Sequence, residues 1–238
     1  MKIFWTTFLF LAAHTISTAQ TLIKVNDQVK FNLKLRESHD FQKVSVFDNS
    51  GKTTLEFINE SVIRIDSIKK QILFARFRQY PFGRFLTDTS VTDYSLKPLT
   101  LREKDGPGKL DHSFIFDINK VAAKVLKEGS YTTTTYSMPE GYFDDNMIET
   151  VIGYLPIIKG GKIQINCYRL ESNGLNTYEI EYLFDDLWGI PGNNKLNCAV
   201  LHFKNQYAEG YIWIDKASHR NVKQIATMHN ASYIIVAI

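Results

Sequence analysis

The chain has 238 residues, of which 44% are hydrophobic, 22% charged and 13% aromatic. That composition excludes a disordered tail, a collagen-like repeat and a small disulfide-stapled scaffold, and the length is sufficient to bury a large β core. Lys and Arg number 28 against 25 Asp and Glu, and a net charge of +3 is too weak to point to nucleic acid as a partner.

Residues 1–19 read as a cleaved secretory signal. Lys2 supplies the positive start, residues 3–13 are almost wholly apolar, and Ser17 and Ala19 stand three and one residues before a cut ahead of Gln20. The apolar run is about half of the ~20 residues needed to cross a bilayer. The expected product is residues 20–238, exported to the periplasm or envelope of a Gram-negative bacterium, with no transmembrane segment in the mature chain.

Beyond the signal, period-2 alternation dominates. Ile72 and Phe74 alternate with Leu73, Ala75 and Phe77; Phe114, Phe116 and Ile118 form a second series; residues 131–136 make a Thr-rich strand. A short helix is predicted over 144–155. Met147, Ile148, Val151, Ile152 and Leu155 recur at helical spacing, Asp144 or Asp145 can cap the start, and Pro156 follows the end. Strands then resume with Ile163, Ile165 and Cys167; with Tyr178, Ile180, Tyr182 and Phe184; and with Ala199, Leu201 and Phe203 against Cys198 and Val200. Three more follow, at 211–214, 222–228 and 232–238. Turn signals such as Gly160-Gly161 and Ser172-Asn173-Gly174 separate them, so an antiparallel meander is expected from about residue 160 onward. Residues 102–111 (REKDGPGKLD) are the most loop-like stretch and could divide the chain there, but one continuous sheet is the preferred reading.

The familiar catalytic signatures do not occur. GxxxxGK[ST], GxGxxG, HExxH and GxSxG are all missing from the chain. A Cys198–His202 nucleophilic pair fails on geometry, because residues four apart on a strand lie roughly 13 Å apart. Asp144-Asp145 reads as a helix cap and Asp185-Asp186 as a loop before Trp188; a hydrolase using Asp144, Asp185 or His202 is the weakest of three readings. His219 falls in a turn, where a solvated role is expected. No cofactor and no metal are expected, since neither cysteine has a neighbouring His or Cys at ligand spacing. Cys167 and Cys198 can pair as a disulfide or sit as two buried thiols on separate strands, and both readings stay open.

The second half of the chain resembles a known arrangement. A short helix over 144–155 leads through Leu155-Pro156 into strands. A Tyr178-x-Ile180 strand, a Cys198-Ala199-Val200-Leu201 strand and Gly210-Tyr211-Ile212-Trp213-Ile214-Asp215-Lys216 follow in order, and a strand then begins near Val222-Lys223. This resembles secreted bacterial domains of unknown function that share the curved half-barrel of lipoprotein-localisation factors (LolA/LolB-like). The resemblance implies an unclosed antiparallel sheet wrapped around a helix, with a hydrophobic concave face that carries acyl chains in some members. The chain lacks the lipobox cysteine of the anchored receptor, and no acyl-contacting residue is carried over.

The fold expected is therefore mainly β, an open half-barrel with one short packed helix. The leading functional expectation is a non-enzymatic envelope protein that binds a lipid, an acyl chain or another hydrophobic small molecule in a sheet–helix cavity. Phe74, Phe116, Tyr182, Trp188, Val200 and Trp213 are the expected lining. The alternative is a structural or interaction module whose partner is another envelope protein, recruited at an exposed sheet edge.

Overall fold

The computed structural model describes residues 21–24, 35–138, 141–169, 174–189 and 195–238; the signal segment lies outside them. One sheet of sixteen strands accounts for most of these residues. The N-terminal strands are β1 (Thr21–Ile23), β2 (Ser38–Phe47), β3 (Thr53–Asp66), β4 (Gln71–Gln79) and β5 (Phe85–Asp93). Next come β6 (Pro98–Asp105), β7 (Asp111–Asp117), β8 (Lys120–Lys127), β9 (Ser130–Ser137) and β10 (Phe143–Asp144). A helical segment follows, a 3-10 turn (Asp145–Met147), α1 (Ile148–Val151) and a second 3-10 turn (Ile152–Tyr154). The series ends with β11 (Lys162–Arg169), β12 (Gly174–Gly189), β13 (Lys195–Lys204), β14 (Ala208–Asp215), β15 (Asn221–Met228) and β16 (Ala231–Ala237).

The topology is two antiparallel meanders joined edge to edge. β11 to β16 run as the sequence suggests, β16 then pairs with β2, and β2 to β9 continue the ladder. The joint runs from Ser232↔Phe47 to Ala237↔Gln42. At one end of the sheet β11 is covered by β1 and β10, both parallel to it; at the other, β9 pairs only with β8 among the described residues. The curved sheet does not close on itself. Residues 102–111 form a hairpin between β6 and β7, whose register continues to Lys104↔Asp111.

The helical segment lies on the inner face as the spacing predicts. Asp144 caps it: its Oδ1 accepts the Asn146 N–H at 2.9 Å. Met147, Ile148, Val151 and Ile152 are buried in the main core with Ile63, Phe74, Ile180, Leu201 and Ile212. Gly153 allows the segment to approach the turn between β14 and β15, because a Cβ there would collide with the His219 carbonyl oxygen. His219 Nδ1 lies 2.9 Å from the Gly153 oxygen and its ring packs on Tyr154, so it is a half-buried docking residue and not a solvated turn residue. A second core gathers Leu101, Phe114, Phe116, Val121 and Tyr142 around Tyr168.

One expectation is corrected here, and one open alternative is settled. Asp185 and Asp186 sit within β12 and not in a loop before Trp188. Cys167 and Cys198 are free thiols. Cys167 is buried in the main core, whereas Cys198 belongs to a small cluster with Val222, Trp188 and Trp213. Along the intervening β12 their partners are Asn176 and Asp186, ten residues and roughly 33 Å apart at strand rise. A disulfide between them has no geometry available.

Candidate functional site

The inner face of β4 changes character along its length: Ile72 and Phe74 are core residues, and Arg76 and Arg78 follow at the same two-residue spacing. Antiparallel register places Arg76 in a straight row across five strands, with Ser61 on β3, Asp88 on β5, Glu103 on β6 and His112 on β7. Burying guanidinium groups is costly unless they are paired, and these are paired. Asp88 Oδ2 accepts from Arg76 Nε at 3.0 Å and from Arg78 at 2.5 Å. The helical segment completes the set, since Arg76 also donates to Asn146 Oδ1 at 2.9 Å and to Glu149 Oε2 at 3.3 Å. Burial opposes the Arg76 charge, but the facing carboxylates of Asp88 and Glu149 outweigh it and hold the guanidinium firmly protonated.

Two cavities flank this row. One, of about 350 Å³, is lined by the apolar Val44, Phe57, Ile148, Phe203, Ile212 and Ile235. Polar residues line it too: Arg76, Arg78, Tyr178, Tyr233 and Gln224, which stands between Ile212 and Ile235 in the strand register. A smaller one of about 50 Å³ lies on the other side of Asn59, Arg76, Asn146 and Glu149, which line both. Gln224 donates to the Tyr233 hydroxyl at 2.8 Å, and burial raises the Tyr233 phenol well above its ordinary value. Tyr178 hydrogen bonds the Asp145 carboxyl, and burial pushes both groups up. Asp144, wholly buried beneath the cap, is pushed up to about 6 by desolvation, against the pull of the Ser90 hydroxyl at 2.6 Å and the Asn146 amide.

The expected lining residues do not come together. Phe74 and Tyr182 lie in the main core and Phe116 in the second, while Trp188, Val200 and Trp213 point to the outer face. For Trp188 the reason is a β-bulge in β12: register shifts between Tyr182 and Phe184, so the even-numbered series that is inward through Tyr182 emerges outward at Phe184 and Trp188, whereas Val200 and Trp213 alternate with the inward Leu201 and Ile212. Outside, Lys223 Nζ sits 4.0 Å from the Trp188 ring centre and 4.3 Å from that of Trp213, and the Trp213 indole donates to Asp186 at 2.8 Å.

Asp144, Asp185 and His202 are likewise dispersed. Asp185 binds Lys159, Lys216 and the Tyr182 hydroxyl, and His202, on the outer face, lies 3.0 Å from Glu209. Among the described residues no group of three or more His, Cys, Asp or Glu could hold a metal ion, and no helix is long and apolar enough to cross a membrane.

Sequence reasoning missed the charged row, and a signal for it existed. β5 reads Asp88-x-Ser90-x-Thr92 with all three buried, a polar alternation on a strand of β-forming residues.

Residues 30–229 match a family model described as a protein of unknown function, DUF3108. No curated protein matches the chain. Among solved structures, the chain is similar to a β-barrel-like protein of domain of unknown function DUF1849 from Brucella abortus. The TM-score is 0.56 at 7% sequence identity, covering 86% of this chain and 97% of that one. At that identity the likeness speaks to fold alone, and it agrees with the open, barrel-like sheet. Neither match links the chain to the lipoprotein-localisation factors.

Proposed function

The chain belongs to the DUF3108 family, and from that footing we propose that it is an exported, non-enzymatic envelope protein whose larger cavity holds a small amphiphile, such as one acyl chain with a polar end. The observation that carries this reading is a mixed lining, in which aliphatic and aromatic residues are joined by the polar Arg76, Arg78, Tyr178 and Gln224. An apolar body gains from the former, and a polar end finds hydrogen-bonding groups among the latter. A volume of about 350 Å³ stands at the low end of the usual range for ligand sites, which favours a single chain over a many-chained lipid.

Native mass spectrometry of residues 20–238 tests the proposal. The expected result is an adduct of lipid size that is lost on denaturation. Ala208 lines the cavity, and Ala208→Phe is expected to lower occupancy by about tenfold or more while the protein stays folded. A clean apo mass, together with failure of the delipidated protein to bind an apolar fluorescent probe, would overturn it. N-terminal sequencing of the periplasmic protein tests export, with Gln20 expected as the first residue.

A further inference from the structure

The end of the sheet where β9 pairs only with β8 among the described residues has an unusual strand. β9 reads Ser130-Tyr131-Thr132-Thr133-Thr134-Thr135-Tyr136-Ser137, and every residue but Tyr136 is exposed. It pairs with β8 in an unbroken register, from Lys127↔Ser130 to Lys120↔Ser137, around a two-residue turn with positive φ at Glu128 (52°) and Gly129 (80°). Just beyond its end, the Met138 N–H donates to the Asn119 carbonyl at 2.9 Å. Antiparallel alternation then turns the even-numbered backbone groups toward β8, and those of Tyr131, Thr133, Thr135 and Ser137 toward the open edge.

Natural edges of this kind carry a charge, a proline or a bulge that blocks further pairing. β9 has none of the three. The opposite end of the sheet is covered by β1 and β10.

We infer that β9 is a dimerisation edge, and that its occupant is β9 of a second copy of this chain, antiparallel across a two-fold axis. Two features select that occupant. The strand is uncharged, so two copies meet without repulsion along it. Its small, uniform threonines form no pocket by which to read a foreign peptide, whereas Thr–Thr pairs across an antiparallel ladder are favourable.

The backbone restricts the register. Outward groups must face outward groups, so the axis passes through a residue and not between two of them: either Thr133 or Thr134 faces its own counterpart. An eight-residue strand spans only about 27 Å, and an interface of that size sits below the standard class, so a dimer that exchanges in the micromolar range is expected.

The test is sedimentation of residues 20–238 from low micromolar to near-millimolar concentration, which should show reversible dimerisation. Thr133→Pro removes an outward N–H and leaves the β8 ladder intact; it should weaken the dimer at least tenfold with an unchanged circular dichroism spectrum. If that variant misfolds, cysteine cross-linking decides. Opposed residues are about 4.5 to 5.5 Å apart at Cα, within disulfide reach, so one of Thr133→Cys and Thr134→Cys should oxidise efficiently to a covalent dimer and thereby report the register. A monomer at all concentrations overturns the inference, as does a dimer indifferent to Thr133→Pro and to both cysteines. A monomer whose Tyr131, Thr133 and Thr135 amides resist hydrogen exchange also overturns it, because another segment then covers the edge.

Discussion

The inner and outer faces of β12 to β15 are built from the same strands and use buried groups in opposite ways. Inside, alternate residues such as Ile180, Leu201 and Ile212 form an apolar floor broken by the buried Asn176 and Gln224, and across the lumen on β4 and β5 Arg76 pairs with Asp88. Outside, Trp188 and Trp213 share one cation, Lys223. Aromatic content alone does not locate a binding site in such a sheet. The side on which each ring falls does, and a single bulge reverses that side in mid-strand.

The largest effect expected from breaking this contrast is at Asp88. Asp88→Ala leaves Arg76 and Arg78 in a buried site without their shared carboxylate, and should cost about 3–5 kcal/mol in urea unfolding. The next concerns Asp144, whose folded value of about 6 stands above its ordinary 3.8. The folded state therefore favours the protonated acid. Its contribution is fully present below about pH 4, is lost as pH rises through about 6, and is flat beyond. Asp144→Asn should remove that slope from a pH series of unfolding free energies.

The thiols sharpen the comparison, since one lies on each face. Burial pushes the Cys167 thiol well up and the Cys198 thiol up to about 11. Both should stay unreactive toward a thiol reagent in the folded protein, and two should titrate in denaturant. The smallest effect is outside: Lys223→Met keeps the aliphatic packing and removes the cation, and should cost about 1 kcal/mol or less. A larger loss there than at Asp88 would reverse the assignment of the two faces.

Much of the second half was legible in the sequence because its inner residues are mostly apolar, with Asn176 and Gln224 as buried exceptions. The helix over 144–155 was marked by its spacing and its Asp144 cap, and the strands from β11 to β16 follow their alternation. β2, β3, β5, β6 and β8 were not singled out, and for β2, β3 and β5 there is a physical reason. Their inner positions include Gln42, Asn59, Asp88 and Ser90, which are buried by pairing and not by hydrophobicity. A two-residue period in apolar content fades where the lumen is polar. The candidate site, lying in that polar region, was hidden for the same reason, and of the six residues expected to line it only Phe74 borders either cavity, the smaller one.

The joint between β16 and β2 also bears on how the molecule is assembled. It brings residues 232–237 against 42–47, the last strand of the chain against one of the first. Val44 and Phe57 on one side of the larger cavity come from the first meander, and Phe203, Ile212 and Ile235 from the second. The cavity is complete only once the C-terminal strand has docked, and that pairing closes a loop over nearly the whole chain. Under the proposed function, occupancy then holds the two meanders together. A ligand would act as the keystone of the finished sheet, and the empty protein should open first along this seam.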